Sequence, residues 1–95
     1  MKSSLPTFDL LEKTHTFPGP YLFKIIGKVD EGFLARVVAV FREVLAIEID
    51  PPFRVREAEG GRHVSVTLEP IVRSAHQVVA IYRRLGSLEG IVMMF

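Results

Sequence analysis

The stretch FRVREAEGGRHVSVTLEP, residues 53–70, constrains the fold more than any other part of the chain. Phe53 and Val55 alternate with Arg54 and Arg56, and Val64, Val66 and Leu68 alternate with His63, Ser65, Thr67 and Glu69. A period of two puts the apolar members of each run on one face of an extended strand. Gly60 and Gly61, between the runs, tolerate the positive φ that a tight reversal demands. The two runs therefore predict an antiparallel hairpin with one apolar and one polar face. An isolated hairpin is marginal in water, so the apolar face needs a cover.

The flanking sequence supplies that cover. Upstream, FPGPYLFKIIGK (17–28) predicts a first strand, with Pro18, Gly19 and Pro20 excluding helix and Lys24 and Lys28 alternating with Tyr21, Phe23 and Ile25. Asp30 then suits a helix N-cap and Glu31 the positive end of a helix. Phe33, Leu34, Val37, Val38, Phe41, Val44 and Leu45 recur at helical spacing, and the helix stops near Ala46, ahead of Pro51 and Pro52. Beyond Pro70, the residues Ile71, Val72, Ala75, Val78, Val79, Tyr82 and Leu85 trace a second amphipathic helix with Gly86 as its C-terminal cap, and EGIVMMF makes a fourth strand. The order strand, helix, strand, strand, helix, strand predicts an α+β, ferredoxin-like βαββαβ sandwich over residues 17–95, an antiparallel four-stranded sheet with two helices on one face. Residues 1–16, mixing Ser, Pro, Thr and charges, read as an N-terminal arm with a helical turn at FDLLEKTH.

Composition narrows the function classes. Ninety-five residues make one domain, and 12 Lys+Arg against 11 Asp+Glu leave a net charge of +1, far from the basic balance of a typical nucleic-acid binder. The chain has no cysteine, which removes disulfides, thiol nucleophiles and thiolate metal sites together. The opening MKSSLPTFDLLEKTH carries charges where a secretory signal has an apolar run, and no segment approaches a membrane span, so a cytoplasmic protein is expected.

In a two-layer sandwich one sheet face stays open. The alternation assigns to it Leu22, Lys24, Ile26 and Lys28, then Arg54 and Arg56, then His63, Ser65 and Thr67, a basic and polar surface with an apolar centre. IVMMF is apolar on both sides, so part of this face or its edge calls for a cover, by the arm or by another subunit. RNA recognition by stacking would need aromatics on the central strands, and RHVSVTL has none. Anion binding in the loop after the first strand, in the manner of acylphosphatases, is opposed by Asp30 and Glu31. His15, His63 and His76 lie in different elements, so no metal or cofactor site is expected, and no serine stands at a recognisable spacing from a histidine and a carboxylate. On the second helix Arg73, His76, Gln77, Ala80, Arg83 and Arg84 form a basic outer stripe, a solvated surface or a docking surface for an acidic partner.

Two resemblances add to this reading. GKVDEGFLARVVAVF looks like the start of an ACT domain, a small regulatory ferredoxin-like module, with Glu31 where many ACT domains have proline. In that family the loop binds amino acids at a dimer interface, which makes Gly27, Asp30 and Gly32 the ligand-loop candidates. A plain helix start accounts for the stretch except Gly32, whose place in the first helical turn implies a special backbone angle or a close approach. A second resemblance spans nearly the whole chain from Phe17. FPGPYLFKIIGK, GGRHVSVTLE and HQVVAIYRRLGSLEGIVMMF resemble, in order and spacing, the YbeD-like family of small uncharacterised bacterial proteins. That resemblance implies an ACT-like fold in a cytosolic bacterial protein with no established enzymatic activity and a regulatory role.

The combined expectation is a non-enzymatic regulatory or protein-interaction domain that self-associates. A sensor of an amino-acid-like metabolite is the alternative, and phosphate-contacting nucleic-acid binding the weaker one. Candidate interaction residues are Arg73, His76, Gln77, Arg83 and Arg84 on the second helix and Lys24, Arg54, Arg56 and His63 on the sheet.

Overall fold

A computed structural model describes residues 5–58 and 60–95. Its principal sheet has four antiparallel strands, β2 (Phe23–Lys28), β3 (Phe53–Glu57), β4 (His63–Leu68) and β6 (Ile91–Met94), in the spatial order β3-β4-β2-β6. Helices α2 (Phe33–Leu45) and α3 (Ala75–Gly86) pack on one face. This is the expected ferredoxin-like sandwich, with the hairpin partners Val55 and Val66 directly opposed and Gly60 and Gly61 at positive φ in its turn. The core is built where the periodic patterns converge: Phe23 and Ile25 from β2, Phe33, Val37 and Phe41 from α2, Val66 and Leu68 from β4, and Val78, Ile81 and Leu85 from α3 are fully buried or nearly so. Phe23 and Phe41 meet edge to face with ring centroids 5.0 Å apart. The Tyr82 hydroxyl donates to that of Tyr21 at 3.5 Å, and burial first, then Tyr21, pushes the Tyr82 phenol well above its ordinary range.

Four local features differ from the sequence expectation, each for a physical reason. The first strand is split: β1 (Gly19–Pro20) pairs with β5 (Ile71–Val72) in a small separate sheet, and only β2 joins the main one. Pro18 and Pro20 have no N–H to donate to a central ladder, which confines them to such an edge. The second helix consequently does not begin at Ile71. It starts at Ala75, where the Ser74 side chain accepts a hydrogen bond from Gln77 N–H. Gly86 is the last helical residue, not a left-handed cap; Ser87, at φ −95°, ends the helix. Asp30, expected as N-cap of α2, lies two residues early, and Gly32 occupies the cap position with no side-chain cap.

The segment expected as an arm contributes to the core. Residues 1–4 of that expectation lie outside the described residues. Helix α1 (Phe8–Thr14) is capped by Thr7, which accepts from Leu10 N–H, and it packs on α3 with Leu11 fully buried. Phe8 and Leu11, one turn apart, are the residues of α1 that pack against the core, and so short a run sets too little periodicity to announce burial.

Candidate functional site

The turn between β2 and α2, which holds the ligand-loop candidates, is closed by its own residues. Gly27 lies under the Phe33 ring, so near that a Cβ there would come within 2.1 Å of a ring carbon. The Asp30 carboxylate accepts from Gly32 N–H at 2.8 Å and from the Arg36 guanidinium at 2.9 and 3.3 Å. Arg36 also donates to the Glu89 carbonyl at 3.2 Å and lies over the Phe33 ring. Arg36, and then the Gly32 N–H, hold the Asp30 carboxyl below its usual range. Gly32 has an ordinary right-handed conformation, φ −100°; what it permits is a close approach, since a Cβ would stand 2.7 Å from the Arg36 Nη1 atom. The turn is a tie between β2, α2 and the approach to β6. No local pattern announces this role for Arg36, because neither its separation from Asp30 nor that from Glu89 matches a helical pairing.

The stripe expected along the second helix loses Arg73, which lies before α3 begins at Ala75, and the remainder is largely taken up by neighbours. His76 packs against the Phe8 ring with centroids 4.5 Å apart, Gln77 accepts from Arg73 N–H at 2.7 Å, and Arg84 pairs with Glu43 of α2. Among the described residues, Arg73 and Arg83 are the members of the expected stripe whose charged groups have no ion-pair partner.

On the open sheet face the expected residues do come together. Pairing across β3, β4 and β2 aligns Arg54 with Thr67 and Lys24, and Arg56 with Ser65 and Ile26. His63 and Lys28 form the next row. Phe23 and Ile25 point to the helices and are fully buried, so Lys24, Ile26 and Lys28 project to the opposite side. The strand β6 extends the face: Met93 pairs with Ile26, and Phe95 exchanges both backbone hydrogen bonds with Lys24. The sheet forms a hollow of about 660 Å³ lined by Lys24, Ile26, Arg56, His63 and Ser65 among others, continuous with one of about 390 Å³ that adds Arg54 and Thr67. No ion pair engages Lys24, Lys28, Arg54, Arg56 or His63 among the described residues. Glu57 also lines the larger of these hollows.

The three histidines stay apart: His15 lies against Tyr21, His76 against Phe8, and His63 on the sheet. Among the described residues no three His, Asp or Glu side chains are grouped as metal ligands, and no helix is long and apolar enough to cross a membrane.

The fold defines an ACT-like domain of ferredoxin topology. The ACT domain of GTP pyrophosphokinase from Chlorobium tepidum superimposes with a TM-score of 0.59 over 80% of this chain and 94% of that one, at 13% identity, a likeness of fold alone. The solution structure of the same ACT domain gives 0.55 over 80% of this chain and 84% of that one, at 14% identity. Residues 12–95 match the family described as protein of unknown function (DUF493), and the chain belongs to it. A UPF0250 protein of Shewanella halifaxensis is 32% identical over 79% of this chain and 83% of its own length. A UPF0250 protein of Shewanella frigidimarina is 32% identical over 90% and 91%. Both agree with the YbeD-like, ACT-like resemblance, and neither the family description nor these relatives' names carries a reaction.

Proposed function

We propose that this protein is a non-enzymatic regulatory and interaction domain that self-associates through the outer edge of β6. The observation that carries the reading is that edge. β6 ends the sheet, with β2 on one side and no strand on the other among the described residues. Val92 is exposed there, and residues 91–95 contain neither a charge nor a proline. Edge strands of isolated proteins are usually guarded by those residues, because an unguarded row of N–H and C=O groups pairs with another chain. A second copy satisfies the edge and covers its apolar side chains. Light scattering on a size-exclusion column across a dilution series tests this: wild type is expected to dissociate on dilution and Val92→Lys to be monomeric throughout. A wild-type monomer at every concentration overturns the reading. The metabolite-sensing alternative finds no support at the turn between β2 and α2, where Phe33 and Arg36 occupy the space a ligand would need. The expected cytoplasmic compartment belongs to the same proposal and is supported by the lack of cysteine.

A further inference from the structure

From the open sheet face, a surface distinct from the β6 edge, we infer a docking site for an acidic amphipathic helix of a partner protein. Across the strands the face changes character in order. Arg54 and Arg56 line β3, the hydroxyls of Ser65 and Thr67 follow on β4, Lys24 and Lys28 flank Ile26 on β2, and Met93 and Phe95 complete the apolar side at β6. No ion pair engages the cations among the described residues, and with Glu57 as a carboxylate lining their hollow they still offer several unpaired basic groups beside exposed apolar surface. A complementary occupant needs carboxylates along one flank and apolar side chains along the next.

The dimensions suit a helix. Three interstrand steps span about 14 Å, and an α-helix with its side chains is about 10–12 Å wide. The six-residue strands β2 and β4 run about 20 Å, the length of roughly four helical turns. Amphipathic helices lay an apolar stripe in such grooves, with residues at i, i+3, i+4 and i+7 as anchors. A nucleic acid fits less well. Among the described residues the one aromatic side chain on the face is Phe95 at its end, too little to stack successive bases, and the whole chain carries a net charge of only +1.

The test is fluorescence anisotropy with a labelled peptide of about 14 residues, about 21 Å as a helix, bearing Leu at helical anchor positions and Glu on the adjoining flank. The controls are a scrambled peptide of the same composition and a single-stranded oligonucleotide. Wild type is expected to bind the amphipathic peptide saturably, more weakly as salt rises, and at least about tenfold better than the scramble. Arg54→Glu with Arg56→Glu is expected to weaken binding about tenfold or more, and Lys24→Glu, on a different strand, to act in the same direction. Arg73→Glu with Arg83→Glu, just before and within α3, is expected to change nothing. Binding that persists in Val92→Lys separates this site from the β6 edge. No binding at low salt, equal binding of the scramble, or tighter binding of the oligonucleotide overturns the assignment.

Discussion

In the turn after β2, Asp30 faces Arg36 at 2.9 Å and a glycine underlies an aromatic ring, whereas on the open sheet face five basic side chains have no ion-pair partner among the described residues. Both regions hold charged groups next to apolar ones, and both look functional in the sequence. The difference lies in what remains for a partner. The turn consumes its own polar groups to fasten α2 and the β6 approach to β2, so its unusual residues answer to stability. The sheet face leaves basic and apolar side chains exposed together, with no ion pair engaging the basic ones among the described residues.

That contrast can be broken by substitution. The largest effect is expected at Gly27, where a Cβ meets the fully packed Phe33 ring: Gly27→Ala should cost about 2–3 kcal/mol in urea unfolding, as overpacking of a rigid core does. A cost within experimental error would mean the ring can move and the space is open after all.

Asp30→Asn probes the ion pair. The folded carboxyl titrates below its unfolded value, so the pair's stabilisation is present above the ordinary carboxylate range and is lost as pH falls through the lower, folded value. Thermal melts should therefore show wild type above Asp30→Asn at neutral pH, with the gap closing in acid. A gap independent of pH would remove the ion pair as its cause.

Gly32→Ala should be mild, within about 1 kcal/mol in either direction. The backbone there is right-handed, and the new methyl displaces only the end of the flexible Arg36 side chain. Least of all should follow from Arg54→Gln with Arg56→Gln, within about 0.5 kcal/mol of wild type by the same urea unfolding, because both side chains are exposed and unpaired. A clear loss of stability in that variant would make the sheet face structural like the turn and erase the contrast.

Much of the architecture was legible beforehand. The alternation in FKIIGK and HVSVTL placed Lys24, Ile26, Ser65 and Thr67 on one face before any pairing was known, and the register then aligned them. The apolar spacing from Phe33 to Leu45 matched the helix end to end. Helix α1 is only half legible, since its inward residues, Phe8 and Leu11, are too few to establish a period. The stripe expected on the second helix holds only from His76 onward, since Arg73 precedes α3, and Phe8 and Glu43 arrive from other elements to cover His76 and engage Arg84.

Periods of two and of three to four residues are properties of a short window, and the steric and solvation forces behind them act within that window. They were enough for the order of the four main strands and two longer helices, the turn at Gly60 and Gly61, and the faces of β2, β4 and α2, though not for β3, whose Phe53 and Val55 stay exposed. The tie from Asp30 to Arg36 and on to the Glu89 carbonyl, the ring over Gly27, and the pairing of Met93 with Ile26 each join residues that only packing brings together. Whether a polar side chain was used up or left free was therefore set in three dimensions, where electrostatics and close contact act between atoms far apart along the chain.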